Sequence, residues 1–557
     1  MPFSSVFAME KQIIQKVKVE TMITVKSPNQ LYIFDPWDFL SPKRRQMLDT
    51  GWPGLFREHI LPTLPVAQIV KHFDSQVGRP SKELFAMLGA LVLQQAFDLT
   101  DEDTVQQFSF NIQWHYALNI TEDSDTAKYL SPKTLWNNRN TVACNNLEDV
   151  IFDNATKRLA VAFNVDTEKQ RIDSVHIKSN MRRLGRIGIF SECIHKFLVN
   201  LKRHHQDQFN SVNQKIVDTY LSKEALGCFS RVKPSESRKT LSKVSKDLFE
   251  LIRQFKGMEP VVSMHSYKLL ERVLSEQCNL TEDADCPVEL KAPKQIVSDS
   301  LQNPSDPDAT YSGHKGQGYQ VQIMETFCDD PQQKPDSVNL ITHVALEQAH
   351  RSDANALVPA IEAAKQRDLK PAQLTADALY GSDDNVESAK QHDVELIAPA
   401  MGAVKQDKLS LADFQWTEQA QVLACPCGHE PARVKKRKTI SVGFDAQHCQ
   451  SCPNLPICPV KKGNKHYFIH FNAKQARIAV RRQYERSASF TEQYRWRAGV
   501  EATMSEYDRR TGVKRLRVRG MKAVRLCAVL KALAINIFRT AAARAARMVP
   551  EPAPCMV

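Results

Sequence analysis

The sequence predicts an α/β protein, in which a mixed β-sheet is covered by helices and preceded by a mainly helical segment. Short apolar, β-branched runs alternate with longer segments of helical periodicity across residues 166–410 and 471–545. Residues 1–165 read mainly as helices. Apolar residues make up 42% of the 557-residue chain, which is ample for a core and fits two to four domains.

The N-terminal segment is predicted to be a helical domain spanning residues 1–165. Gly78-Arg79-Pro80 predicts a turn, followed by Ser81 as the cap of an apolar helix. Ser131 precedes Pro132, the arrangement expected at the start of a second helix. The segment is not basic overall, so contact with a polyanion and a purely structural role both stay open.

The sheet strands are predicted from short apolar runs, two of which carry an aspartate. Asp173 lies in QRIDSVHIKSN and Asp377 in QLTADALYGS. A helical insertion is expected at about 185–295, followed by the strands GYQVQIMETF and NLITHVALEQAH. A helix capped by Ser352 or Asp353, the helix DDNVESAKQHD and the strand VELIAPA complete the series. His314 and Lys315 lie in the turn before GYQVQIMETF, as DNA contacts or as solvated residues.

A third carboxylate lies near the C-terminus in TEQYRWRAGVEATMSEYDRR. Tyr494, Arg497 and Glu501 are spaced to share one face of an α-helix. Two aspartates on strands and one glutamate on a helix could together hold two hard cations through oxygen ligands. The alternative is a surface helix with a simple i,i+4 salt pair between Arg497 and Glu501.

Charge along the chain is uneven, and its excess lies beside Glu501. The net charge is +12; residues 1–170 carry 17 Lys and Arg against 20 Asp and Glu, whereas residues 471–557 carry 19 against 6. This asymmetry favours a polyanionic partner, although a solvated basic surface remains the alternative. The candidate DNA-binding residues are Tyr494, Arg497, Arg509, Arg510, Lys514, Arg515, Arg517 and Arg519.

Five of the thirteen cysteines cluster between residues 425 and 458. Their spacing is typical of a structural zinc site in an intracellular protein. We expect Cys425, Cys449, Cys452 and Cys458 to bind zinc, with Cys427 as the alternate ligand; reduced thiols in a metal-free loop are the competing interpretation.

No membrane association is predicted. The chain has no uncharged apolar run of 18 residues, and its N-terminus lacks the basic region and cleavage site of a signal peptide. The last apolar segment, MKAVRLCAVLKALAINIF, is interrupted by Lys522, Arg525 and Lys531, which favours a helix that covers a core. Residues 546–557 are expected to be a disordered tail.

With these motifs, the chain over roughly residues 30–545 resembles the DDE transposases of bacterial insertion sequences, specifically the group with a Tyr-Arg-Glu-Lys signature. The resemblance assigns the catalytic acids to Asp173, Asp377 and Glu501, and the signature Tyr and Arg to Tyr494 and Arg497. The signature expects Lys seven residues after the Glu, where this chain has Asp508. The adjacent Arg509 and Arg510 are candidate replacements for that cation.

The resemblance implies a ribonuclease H-like catalytic domain in two parts, 166–410 and 471–545, separated by a cysteine-rich, zinc-ribbon-like insertion at 411–470. It implies two Mg²⁺ ions, which Mn²⁺ can replace, in addition to structural Zn²⁺. The implied partners are double-stranded DNA, as terminal inverted repeats and target, and a second copy in a synaptic homodimer. The implied location is the cytoplasm, at the nucleoid. A nuclease that does not join strands and a catalytically impaired zinc-dependent DNA-binding protein are the alternatives.

Overall fold

The computed structural model describes residues 22–30, 32–222, 232–283, 287–403 and 407–548. The described residues up to Val165, together with those from Val529 onward, form one compact unit, and Asp166–Ala528 form another. The predicted tail at 546–557 is wrong for residues 546–548, which continue the C-terminal helix. The rest of that tail and the N-terminus examined for a signal peptide lie outside the described residues.

The first unit contains a series of helices before Val165. The cap predicted at Ser131 is confirmed, because the Ser131 hydroxyl accepts a hydrogen bond from the Thr134 N–H. The cap predicted at Ser81 is wrong: the Ser81 hydroxyl accepts instead from the Thr24 N–H at 2.8 Å, and Glu83 caps the helix. The α-helices before Val165 are Pro42–Thr50, Trp52–Leu55, Val66–Val70, Leu84–Ala96, Asp101–Phe110, Ile112–Ala117, Asp125–Lys128, Pro132–Cys144 and Leu147–Ala162.

The second unit is organised around a six-stranded mixed sheet, which confirms the predicted α/β class. Its strands follow the order β4-β5-β1-β7-β8, and β6 pairs with β5 beside β4. The central strand β1 is antiparallel to β5 and parallel to β7. These strands are β1 Lys169–Lys178, β4 Thr310–Ser312, β5 Gly316–Thr326, β6 Ile341–Gln348, β7 Gln373–Thr375 and β8 Glu395–Ile397; β2 Cys278–Leu280 and β3 Val288–Leu290 form a separate hairpin.

Helices pack on this sheet and also form the insertion between β1 and β4. One core joins Ile172 of β1, Met324 of β5 and Leu374 of β7 to the helices Leu357–Gln366 and Asp383–Gln391. A second core lies within the insertion, whose long helices are amphipathic. The insertion helices are Arg186–His204, Gln206–Asn210, Gln214–Leu221, Ser237–Phe255, Glu259–Val262 and His265–Gln277.

The cysteine-rich region adds two small sheets and a core of its own. That core is closed by the helix Ala473–Tyr484. The strands are β9 Gln415–Trp416, β10 Val422–Ala424, β11 Arg433–Lys435, β12 Ile440–Asp445, β13 Lys461–Lys462 and β14 His466–Phe471, with the short helix Ala446–Gln450 after β12. The remaining helices are Ala488–Tyr494, Gly499–Thr511 and Met521–Met548.

One helix in the described chain is long and apolar enough to cross a membrane, judged by length and composition alone. It is Met521–Met548, and 78% of its most apolar window is buried inside the protein. That burial is what a helix covering a core requires.

His343 is an unusual residue of the central sheet. It lies on β6 opposite Met324, is 5% exposed, and neither ring nitrogen has a hydrogen-bond partner among the described residues. Burial, helped by the charge of Arg367, lowers the pKa of His343 to about 3. The folded protein therefore holds this imidazole neutral above about pH 3.

We expect replacement of His343 by Leu to weaken the acid sensitivity of the fold. An unfolded His titrates near pH 6.5, so only the unfolded chain takes up this proton between about pH 6.5 and 3. The free energy of unfolding therefore decreases as the pH falls through that window, and at pH 5 it is lower by about 2 kcal/mol than at neutral pH. The melting temperature should therefore fall less between pH 7 and pH 5 in His343→Leu than in the parent. The exposed His265→Gln is the control, and parallel pH curves for parent and His343→Leu would contradict the assignment.

Candidate active site

Two of the three predicted acids lie close to each other beside the central strand of the sheet. Strands β1 and β7 are parallel, with Lys169 opposite Gln373 and Arg171 opposite Thr375. Asp173 lies two residues beyond Arg171 on β1, and Asp377 lies two residues beyond Thr375, after the end of β7. The two negative charges are close enough that Asp377 contributes to raising the pKa of Asp173.

Asp377 does not lie within a strand, contrary to prediction. Strand β7 ends at Thr375, and Asp377 begins the turn that follows. Its carboxylate accepts a hydrogen bond from the Leu379 N–H at 2.8 Å. The acid is thus fixed by its own turn, at the carboxyl end of a parallel strand, which is where open α/β sheets place functional groups.

Arg497 connects this pair of aspartates to the third predicted acid. Its Nη2 lies 2.6 Å from Asp173 Oδ2, and its Nη1 lies 3.2 Å from Glu501 Oε1. The Glu501 side chain is 71% exposed, whereas that of Asp173 is 15% exposed. One guanidinium therefore bridges a largely buried and an exposed carboxylate. The salt pair between Arg497 and Glu501 considered from the sequence is present, and Arg497 contacts Asp173 in addition.

The helix that carries Glu501 is not continuous from Tyr494, contrary to prediction. The helix Ala488–Tyr494 is followed by a 3-10 turn, Arg495–Ala498, and Glu501 belongs to the next helix, Gly499–Thr511. The Tyr494 ring is half-buried and stacks on Phe490, with ring centroids 5.3 Å apart. Arg497 nevertheless remains within reach of Glu501, because a 3-10 turn keeps the chain helical.

The environment of Asp173 raises the pKa of its carboxyl above the usual value. Burial is the largest cause that raises the pKa of this carboxyl, and the charges of Asp377 and Asp353 raise it further. The Ser174 N–H and the Arg497 guanidinium oppose this effect. Arg497 is thus the counter-charge that this arrangement supplies to the buried acid.

Sequence reasoning did not single out Asp353 and left Lys315 open. Lys315 Nζ donates to the Ser174 hydroxyl at 2.9 Å and lies 3.7 Å from Asp353 Oδ2. Asp353 is 7% exposed and also accepts a hydrogen bond from the Gln322 amide. Asp353 had been interpreted only as a helix cap, and no local pattern distinguishes a cap from a residue that faces a site.

A buried ion pair fixes the Glu501 helix against the sheet. The Arg171 and Glu325 side chains are 8% and 0% exposed, and they are joined at 2.7 Å between neighbouring strands β1 and β5. Glu325 also accepts from the Thr503 hydroxyl at 2.6 Å, and Arg171 Nη1 donates to the Trp496 carbonyl at 2.9 Å. Both contacts hold the segment that flanks Glu501.

Asp508, which stands where the resembled signature has Lys, closes the end of the Glu501 helix. Its carboxylate accepts from the Lys514 N–H at 3.2 Å, and Lys514 Nζ lies 3.7 Å away. Arg510 pairs with Glu506 at 3.1 Å, and Arg519 donates to Asn180 at 2.7 Å. The predicted cations are nevertheless on the surface, and the exposed ones are Arg509, Arg510, Lys514, Arg515, Arg517 and Arg519.

The predicted zinc ligands gather around one cavity, but the predicted metal centre is not supported. That cavity has a volume of about 20 Å³ and is lined by Cys425, Cys427, Cys449, Cys452 and Cys458 together with His429 and His448. Cys427 and Cys452 are in contact, with their Sγ atoms 3.4 Å apart. Within the described ranges, no group of three or more His, Cys, Asp or Glu is arranged to hold a metal ion. The same finding applies to the three acids, where Arg497 lies between Asp173 and Glu501.

Comparison with known protein families gives two matches in this chain. Residues 424–541 match a family described as a transposase DDE domain. The matched range contains Arg497 and Glu501. Residues 53–141 match a transposase domain, DUF772, within the helical N-terminal segment. No curated protein and no solved structure matches the chain.

We expect Gly499→Ala to lower the melting temperature by about 3 °C or more. A Cβ at Gly499 would lie 2.0 Å from Arg171 Nη1. If the guanidinium moves away, Glu325 stays buried and partly unpaired. Complete loss of a buried ion pair lowers the free energy of unfolding by about 3–5 kcal/mol, so partial loss is enough for a change of this size in melting temperature. Gly185→Ala is the matched control, because its Cβ would meet nothing within 4 Å. Equal melting temperatures for the two variants would show that the ion pair does not constrain this helix.

Proposed function

We propose that this chain, which belongs to the DDE transposases of insertion sequences, cleaves DNA at element ends and joins those ends to target DNA. Asp173, Asp377 and Glu501 are the catalytic carboxylates in this proposal. The observation that carries it is the parallel pairing of β1 with β7, which ends two residues before each aspartate, together with the contacts of Arg497 with Asp173 and Glu501. The strand order, with β1 between antiparallel β5 and parallel β7, supports a ribonuclease H-like sheet.

The donor chemistry of this site fits hard divalent cations. Three carboxylates are the oxygen ligands that Mg²⁺ and Mn²⁺ prefer. Bound divalent ions supply charge stabilisation at the scissile phosphate and activation of the attacking oxygen. Glu501, being exposed, is free to turn from Arg497 toward the aspartates.

The residues around the acids bind and orient the DNA in this proposal. Arg497, once released from Glu501, is placed to pair with a phosphate beside Asp173. Lys315 holds Ser174 and Asp353 and keeps a positive charge at the other side of the aspartates. The exposed run from Arg509 to Arg519 contacts the duplex backbone, where cations provide affinity without reading sequence.

The two reaction steps need no reactant beyond water and DNA. Water attacks the phosphodiester at the element end, the bond to the 3′-oxygen breaks, and a free 3′-hydroxyl leaves. That hydroxyl then attacks a target phosphodiester, forming one bond and releasing another 3′-hydroxyl. We propose that two chains hold the two inverted repeats in one homodimeric complex, and that the protein acts at the nucleoid in the cytoplasm.

Substitution of each catalytic acid should abolish cleavage and preserve binding. Asp173→Asn, Asp377→Asn and Glu501→Gln should each lower cleavage of a plasmid that carries both inverted repeats by at least about 100-fold, more than the loss of an outer partner costs. DNA affinity, which rests on dispersed phosphate contacts, should stay within about two-fold.

The control for these variants is Glu492→Gln, which removes an exposed carboxylate paired with Arg495. Near-parental cleavage by any of the three acid variants removes that residue from the site. Capture of joined products distinguishes a transposase from a nuclease that only cuts. A parent protein that binds the ends but cuts nothing at any Mg²⁺ concentration would instead fit the catalytically impaired alternative.

We also propose that the cysteine cluster binds one structural zinc, through Cys425, Cys449, Cys452 and Cys458, with Cys427 as the alternate ligand. Its support is that all five thiols and two imidazoles surround one small cavity. Burial and neighbouring thiols raise the pKa of Cys449 to about 11, so without a metal this group stays protonated. A cation is what would allow such thiols to act as thiolates.

Freshly purified, reduced protein should contain about one zinc per chain by elemental analysis. Cys449→Ser should lower that content by at least half. Cys144→Ser, which changes an exposed cysteine outside the cluster, should leave it unchanged. Zinc-free parent protein with an intact fold would exclude the metal and leave the cluster as reduced thiols.

A further inference from the structure

The cysteine-rich region carries a concentration of positive charge that the active site does not use. Residues 433–470 contain eight Lys and Arg and a single acid, Asp445. All eight basic residues are exposed, and within the described chain none makes a side-chain hydrogen bond or ion pair. They are Arg433, Lys435, Lys436, Arg437, Lys438, Lys461, Lys462 and Lys465.

The four-stranded sheet β11-β12-β14-β13 directs much of this charge to one face. Along β14, Tyr467, Ile469 and Phe471 are buried, whereas the alternating residues His466, Phe468 and His470 face away from the core. In register with these outward residues, Lys435 lies beside Ser441 and His470, and Arg433 beside Gly443, Phe468 and Lys461. The outer face is therefore basic on both edge strands and aromatic in the middle.

The Phe468 ring lies between two glycines on this outer face. A Cβ at Gly443 would come within 2.6 Å of one edge of the ring, and a Cβ at Gly463 within 2.9 Å of the other. Both glycines therefore leave the space that the ring occupies. The His470 ring lies at 16° to that of Phe468, with centroids 6.1 Å apart, so the two rings are nearly parallel along the strand.

We propose that this outer face binds a DNA strand with unpaired bases, in addition to the duplex that the active site holds. An outward-facing pair of aromatic rings offers stacking to an exposed base, and flanking cations attract the phosphates on either side. Paired bases are stacked on each other and cannot use Phe468, so the aromatic pair favours single-stranded over duplex DNA. This inference rests on the proposed function only in naming DNA as the partner.

The test compares binding of the full-length protein to a labelled 30-nucleotide single strand and to the duplex of the same sequence, lacking inverted repeats. Phe468→Ala should weaken single-strand binding by about ten-fold, the effect of losing one stacked base, and duplex binding by less than about two-fold. Phe468→Trp should retain single-strand binding, because it keeps the aromatic surface.

Charge is tested separately with the triple variant Arg433→Gln, Lys435→Gln and Lys461→Gln. It should reduce the slope of log affinity against log salt for the single strand by about two, at roughly 0.7 per lost contact. The control is the triple variant Lys239→Gln, Lys243→Gln and Lys246→Gln, which removes three exposed charges from the helix Ser237–Phe255. The control should keep the parental slope.

The outcomes separate this surface from the active site. Parental binding by both the Phe468→Ala and the charge variant, with unchanged melting temperatures, overturns the proposal. A charge effect without a Phe468 effect overturns the unpaired-base assignment. If the parent cleaves DNA while these variants bind the single strand normally, the single-strand proposal is wrong and the proposed function stands. If these variants lose single-strand binding while the parent cleaves no DNA, the single-strand proposal stands and the proposed function is wrong.

Discussion

The buried ion pair between Arg171 and Glu325 is the constraint on which the rest of the site depends. It links the central strand β1 to β5, and through Thr503 and the Trp496 carbonyl it fixes the segment that presents Glu501. A buried pair adds little net stability over an apolar pair of the same shape, whereas loss of one partner is costly. The pair therefore positions the site more than it stabilises the fold, because the same two side chains join β1, β5 and the segment around Glu501. The glycine at position 499 follows from it, since any larger residue would occupy the space of the guanidinium.

With these elements in place, the acids of the site repel one another because they carry like charges. Asp173, Asp377 and Asp353 lie near one another, and Asp173 is mostly removed from water. Such a group needs compensating positive charge, which for Asp173 comes from Arg497, whereas Lys315 lies 3.7 Å from Asp353. Arg497 therefore balances Asp173 in this arrangement, and under the proposed function it would become available to a phosphate when a cation takes its place. An arginine suits this exchange, because its planar fork can pair with carboxylate and phosphate alike.

Sequence reasoning proposed the three acids from their local contexts, but it did not show how the fold brings Asp173 and Asp377 near each other. The β-branched residues beside Asp173 predicted its strand, whereas Asp377 lies beyond the end of β7 and reaches Asp173 through strand register, a long-range property. The 3-10 turn at Arg495–Ala498 was missed because it interrupts no local pattern. Ser81 failed as a cap because its hydroxyl is engaged by the distant Thr24 N–H. In each case a tertiary contact decided between locally equivalent choices.

The basic sheet of the cysteine-rich region illustrates a different difficulty, because its pattern was visible in the sequence. HYFIHF alternates between inward and outward residues, and RVKKRK precedes a strand of the same sheet. The cysteines predicted a metal site, which concerns only the interior of this region. Strand pairing adds the outer face, where the Phe468 ring lies between Gly443 and Gly463 and occupies space that a Cβ at either position would take. The two glycines are separated in sequence, so neither composition nor spacing could reveal that they make room for one ring.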